Sequence, residues 1–205
     1  MTALGIPFVV HGRASGVAEP YSWVDVNNKR SFRRAAELLL DLGHQRIGLV
    51  NGLETMDFAA RRRAGYVEAL EARGVPVDPA LMTRSEMTEA NGSRAAAGML
   101  ALADPPTAIL ASSLVSGFGV RRAIEEAGLT MGLDVSVVVH DDLVSYLGDP
   151  SDVPLFSATR SSVREAGRIS AELLMDIVEN KGLGPKTRLL EAELVLGRST
   201  GPRRV

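Results

Sequence analysis

The stretch Leu38–Gly52, Leu-Leu-Leu-Asp-Leu-Gly-His-Gln-Arg-Ile-Gly-Leu-Val-Asn-Gly, narrows the choice of fold more than any other part of the chain. An apolar helical pattern runs as far as Leu42, and Gly43 stands where a left-handed residue would close that helix. Ile47–Val50 follows as a short apolar strand, and Asn51-Gly52 breaks it with a turn signal. A helix that feeds so directly into a buried strand is the crossing of an open α/β sheet.

The same alternation extends through the rest of the chain. Phe8–Val10 and Tyr21–Val26 read as extended pieces. Asn27-Asn28 offers side-chain acceptors to cap a helix over about 29–42, whose Phe32, Ala35, Ala36, Leu39 and Leu42 form one apolar stripe. Helices over about 57–73, 91–102 and 115–127 alternate with strands near 47–50, 81–84, 108–111 and 135–139, with Gly74, Asp104-Pro105-Pro106 and Gly128 as the breaks. Val135–Val139 is an unbroken apolar run apart from Ser136, the signature of a strand covered on both faces of a parallel sheet. Residues 143–156 read as irregular, 162–180 as a long helix and 189–196 as a last strand. Strand and helix recurring about every thirty residues imply right-handed βαβ units.

Composition excludes several classes of function. The formal net charge of −2 forces no basic face, so nucleic-acid binding by this segment itself is unsupported. Absence of cysteine removes disulfides, thiolate metal sites and thiol catalysis, and fits a cytoplasmic protein. No apolar run approaches the roughly 20 residues of a membrane helix, so no membrane partner is expected. His11, His44 and His140 lack metal-ligand spacing. Phosphate-binding glycine loops and nucleophile elbows are missing too, so neither a cofactor nor an enzyme is expected.

Two features carry binding chemistry. Arg61-Arg62-Arg63 lies on a helix, where successive residues point about 100° apart, so only Arg62 shares the stripe of Phe58 and Tyr66. A cation on an apolar face needs a ligand or an acid partner. The alternative is a packed stem with its head in solvent. Asp141-Asp142 directly follows the strand 135–139, at the carboxyl end where open α/β sheets collect ligands, and a carboxylate suits a polyol. A solvated or capping acid is the plainer alternative. Adjacent acids in an extended chain do not face one scissile bond together, which disfavours glycosidase chemistry. Trp23 and Tyr21 offer either a stacking face for a sugar or core packing.

Leu42-Gly43-His44-Gln45-Arg46-Ile47 resembles the LGH-x-RI segment of lactose-repressor-type (LacI/GalR) transcription regulators. Ile6–Val10 resembles that family's IPVV strand, Val26-Asn27-Asn28 its V-D-N, Arg62–Tyr66 its R-x-x-G-[FY] and Pro106–Ile109 its PTAI. Asp134–Val137 with Asp141-Asp142, and the closing Arg198-Ser199-Thr200, follow in the family's order. The resemblance implies an α/β periplasmic-binding-protein-like fold of type I, with two lobes built on parallel doubly wound sheets. It places residues 1–45 and 159–187 in a partial N-terminal lobe, and 46–158 and 188–205 in a C-terminal lobe. It also implies that the front of the N-terminal lobe and a DNA-binding headpiece lie outside this sequence.

By the same resemblance Arg62 and Asp141 are ligand contacts, and Ser113, His11, Arg13 and Phe58 complete the expected binding set. Val9-Val10-His11-Gly12-Arg13 resembles a subset that senses α-glucosides. The chain departs from the family at Asn27, at His140 and at Ser113-Leu114, where the family has Asp, an aromatic residue and Asn-Asp. The expected function is effector sensing for a LacI-type repressor, with a small sugar between the lobes. A homodimer is expected, and operator DNA is reached only through the headpiece. A transport-type sugar-binding protein of the same fold is the alternative.

Overall fold

The computed structural model describes residues 6–140, 153–180 and 184–204. Asp141, Asp142 and most of the expected irregular segment lie outside them. Among the described residues, nine strands and five α-helices follow the order β1 (Val10–His11), β2 (Trp23–Val26), α1 (Asn28–Asp41), β3 (Ile47–Asn51), α2 (Asp57–Ala72), β4 (Met82–Arg84), α3 (Glu89–Leu100), β5 (Ala108–Ala111), α4 (Leu114–Glu126), β6 (Ser136–His140), β7 (Ser157–Arg160), α5 (Val163–Glu179), β8 (Thr187–Leu190) and β9 (Glu193–Val195). They form two sheets, a small one ordered β1-β2-β8 and a large one ordered β4-β3-β5-β6-β7-β9. All pairings are parallel except β7 with β9.

The large sheet is covered on both faces, and strand alternation sorts its side chains between them. Leu49, Ala108, Leu110 and Val138 join Phe32, Ala35, Leu39, Tyr66 and Leu70 of α1 and α2 in one layer. Val50, Ile109, Ala111, Val137 and Val139 face Ala96, Met99, Val120 and Ile124 of α3 and α4 in the other. Gly43 closes the α1 end at φ 90°, and the His44 amide donates back to the Leu39 carbonyl. His44 is buried at this crossing between the Thr107 and Ser136 hydroxyls and the Gly201 carbonyl. Burial pushes its pKa below the ordinary histidine value.

The two layers owe their tightness to glycine. A Cβ on Gly65 of α2 would sit 2.0 Å from the Lys29 carbonyl oxygen of α1, and one on Gly119 of α4 would sit 2.0 Å from that of Glu89 in α3. Each helix pair therefore packs backbone to backbone, and this is what the glycine of the R-x-x-G-[FY] segment supplies.

The chain crosses between the sheets after β2, after β7 and after β8. The structure corrects the expected division at each crossing. Helix α1, expected with the partial N-terminal lobe, packs on α2 and the large sheet, because its stripe of Phe32, Ala35, Ala36 and Leu39 fits against Ile47, Tyr66 and Ala69. Ser157–Arg160, assigned to no element between the expected irregular segment and the expected long helix, is a strand of the large sheet paired with β6 and β9. The expected last strand is two strands: Thr187–Leu190 pairs with β2 in the small sheet and Glu193–Val195 with β7 in the large one. Helix α5 alone among the described helices packs on the small sheet, through Ala166, Ile169 and Leu173 against Val24 and Leu190.

Candidate functional site

Arg62 is the centre of the candidate site. Of the three consecutive arginines it alone is buried, at 7% exposure, on the α2 face that also carries Tyr66. Its Nε donates to Asn28 Oδ1 at 2.8 Å and its Nη1 to the Ser112 carbonyl at 2.7 Å. The guanidinium carbon lies 5.2 Å from the Phe32 ring centre and 4.8 Å from that of Phe58. Two aromatic faces and two acceptors thus offset the desolvation of a cation that burial alone would disfavour. The plane of the fork is fixed, as planar recognition of ligand oxygens requires.

The surrounding elements all end at this place. Strand β3 ends in the buried Asn51, whose amide donates to the Ala59 carbonyl and whose Oδ1 accepts from the Ser112 hydroxyl at 2.7 Å. Strand β5 runs into Ser112 and Ser113, and strand β6 ends in His140. These are the carboxyl ends of parallel neighbours, where the helix starts leave a crevice for ligands. His140 is buried, bonds Thr159 Oγ1 through Nδ1 at 2.8 Å and lies against the Phe32 ring. Burial, then the positive charge of Arg62, holds its pKa well below the ordinary histidine value, so it is neutral near pH 7.

The small sheet contributes from the other side. Arg13 stacks 4.8 Å over Trp23 and forms an ion pair with the buried Asp25 at 2.6 Å. Ser15, in the loop behind β1, donates to Asp57 at 3.1 Å, and Arg61 donates to the same carboxylate. Burial opposes ionisation of Asp57, but Arg61, Ser15 and Arg13 outweigh it and hold the pKa below the usual carboxylate value. The loop after β1 thus reaches the start of α2, one residue from Phe58.

The expected site residues fare differently. Arg62 and Phe58 are in direct contact, and Ser113 adjoins the carbonyl that holds Arg62. The Ser113 hydroxyl itself caps α4, accepting from the Ser116 amide. Arg13 faces Trp23 and Asp25, so Trp23 serves a cation here. Tyr21 Oη accepts from the Ala14 amide in the same loop. His11 is exposed on β1. Asp141 lies outside the described residues. Among those residues no group of three or more acids and histidines is placed to hold a metal, and no helix is long and apolar enough to cross a membrane.

Residues 36–200 match the periplasmic binding protein-like domain family. Over 98% of the chain, a LacI-family regulatory protein of Chloroflexus aggregans superposes with a TM-score of 0.86 at 32% identity, the chain covering 70% of it. The chain belongs to the LacI/GalR-type effector-binding domains. Among other LacI-type relatives, the regulator AglR of Rhizobium meliloti is 46% identical over 98% of this chain and 57% of its own length. The regulator CelR, solved as a cellobiose complex, superposes with a TM-score of 0.86 at 31% identity over 95% of this chain and 59% of that one. The chain therefore spans little more than half the length of the curated relatives it matches. Seen as a LacI-type domain, the two sheets are the cores of the two lobes that the resemblance implied, and the relatives named are regulators rather than enzymes.

Sequence reasoning missed Asn28, Phe32 and Ser112, which contact Arg62. Asn28 reads as a helix cap and Phe32 as core, while Ser112 acts through its backbone carbonyl, which no side chain signals. Only the unusual pairing of two consecutive asparagines hinted that one of them had other work.

Proposed function

We propose that this chain is the effector-sensing part of a LacI-type transcription regulator and binds a small sugar between its two sheets. The reading rests on Arg62, a buried guanidinium with a fixed plane at the carboxyl ends of the large sheet, beside the crossing from β2 to α1. It is supported by relatives solved with sugars, a CelR–cellobiose complex and a LacI-family regulator of Enterococcus faecium with bound ribose. Ligand would bias the relative orientation of the sheets and so shift operator affinity of the whole regulator, a coupling of roughly 1–3 kcal/mol. We assign Arg62 and Phe58 to the large-sheet side of the site, Ser113 to its margin, and Arg13 with His11 to the small-sheet side, and we keep Asp141 as a ligand contact on the strength of the family resemblance. An α-glucoside is the effector class we favour, from the Val9–Arg13 segment. We further propose a cytoplasmic homodimer that reaches operator DNA through a headpiece. The relatives named give no support to the transport-type alternative.

A thermal-shift panel of cellobiose, ribose, sucrose, trehalose and maltose tests the proposal. At least one sugar should raise Tm in the wild type and none should in Arg62→Ala, whose helix keeps the Tyr66 and Leu70 packing. Equal shifts in both proteins would assign the ligand to another site, and no shift with any sugar would overturn the sugar-sensing reading.

A further inference from the structure

The geometry points to Asn28 as the residue that positions Arg62 for ligand and ties it to the crossing between the sheets. This rests on Arg62 facing the effector, as proposed above. Asn28 is buried at 3% exposure on the first turn of α1, where an asparagine would ordinarily cap its own helix. It does not, because Asn27 is the cap, its Oδ1 accepting from the Arg30 amide at 3.2 Å. The Asn28 side chain instead spans two elements. Its Nδ2 donates to the Val26 carbonyl at 3.0 Å and its Oδ1 accepts from Arg62 Nε at 2.8 Å.

The orientation of that amide is unambiguous, since a carbonyl only accepts and a guanidinium only donates. With Nε held by Asn28 and Nη1 by the Ser112 carbonyl, rotation of the fork about its stem is blocked, while Phe32 and Phe58 restrict its tilt. Val26 is the last residue of β2, so a single side chain joins the guanidinium of the large sheet to the strand of the small one. The neighbouring Asn27 binds the crossing after β8 as well, its main-chain amide donating to the Leu190 carbonyl at 2.8 Å and its Nδ2 to Glu191 at 2.9 Å. A change in the angle between the sheets must turn the chain at 26–28 and move the acceptor that orients Arg62. Asn28 is a positioning residue: it acts on the ligand through Arg62 by fixing the plane of the guanidinium.

Two variants separate this role from simple packing. Asn28→Ala and Asn28→Asp both lose the bond to the Val26 carbonyl, but only Asn28→Asp keeps an acceptor for Nε. The first measurement needs no ligand: the ¹⁵N–¹H correlation of the Arg62 Nε–H, assigned by its loss in Arg62→Lys. We expect a slowly exchanging signal in the wild type and in Asn28→Asp, and at least tenfold faster solvent exchange in Asn28→Ala. The second is calorimetric titration with cellobiose and sucrose, in which Asn28→Ala should weaken Kd tenfold or more and Asn28→Asp by less than threefold. An unchanged Arg62 signal in Asn28→Ala overturns the assignment whatever the ligand. Wild-type affinity in Asn28→Ala overturns it as well. If the wild type takes up neither sugar, the choice of effector fails while the exchange measurement still decides the role of Asn28.

Discussion

Replacing Gly65 by alanine tests the claim that α1 and α2 touch backbone to backbone. Alanine is the better helix former by about 1 kcal/mol, so on propensity alone Gly65→Ala stabilises. The structure opposes this, because the new methyl would lie 2.0 Å from the Lys29 carbonyl oxygen, 2.9 Å from its carbon and 3.0 Å from the Arg33 nitrogen. The first of these falls roughly 1.5 Å short of ordinary contact. The obstacle is backbone, so no rotamer change relieves it, and α1 must lift from α2 along the layer of Phe32, Ala35, Ala36, Tyr66 and Ala69. Overpacking of this kind costs about 3 kcal/mol at the upper end of its usual range. The net loss is then about 2 kcal/mol, which for a chain of this size lowers Tm by roughly 4–8 °C. Gly98→Ala in α3 is the internal control, for nothing lies within 4 Å of its added Cβ, and it should gain a few tenths of a kcal/mol. Thermal and urea unfolding followed by circular dichroism give both numbers. A Gly65→Ala protein as stable as the wild type would refute the close approach.

Other outcomes follow from the same geometry. Because burial lowers the folded-state pKa of His44 and His140, the unfolded chain takes up protons first as pH falls through about 6.5, so stability present above that pH declines toward pH 5. His140→Asn, read by Tm across pH 8 to 5, should be less stable but show a flatter slope; an unchanged slope would remove His140 from the account. Asp57 follows the same direction over a more acidic window: its lowered pKa stabilises above about pH 4 and the contribution fades as acid protonates it, so Asp57→Asn should matter at pH 7 and little at pH 3 in urea titrations. In hydrogen exchange, amides of the exposed two-residue β1 should open faster than those of the wholly buried β6, and equal protection would contradict the burial difference.

Much of the fold could be read directly from the residues. Gly43, Gly74 and Gly128 end helices where the turn signals placed them, and Val135–Val139 announced a two-sided strand. What escaped was partnership. The stripe on α1 shows that a face is buried but not against which sheet, and only the fit of Gly65 under Lys29 decides it. Ser157-Ala158-Thr159-Arg160 has no apolar alternation, and it is a strand because β6 and β9 flank it. The run 187–196 hides a change of sheet at Glu191-Ala192, since both halves are extended and nothing in their residue types marks the step. In the candidate site, the need of Arg62 for partners was legible because a cation on an apolar stripe is costly. Its supports were not, being an asparagine with the look of a cap and a main-chain oxygen.

The position of β9 has a consequence for how the molecule is assembled in time. Strands β3 to β7 of the large sheet can pair in order as the chain proceeds, but the strand that closes its outer edge arrives only after residues 161–192 have been laid down in α5 and β8. Closing that excursion carries a loop entropy that grows slowly with length, and docking of α5 and β8 on β2 shortens the free chain that must be closed. Until β9 pairs, β7 presents an open edge to other chains. The chain that completes the large sheet thus runs first through the small one, and the two form a knitted pair rather than beads on a string.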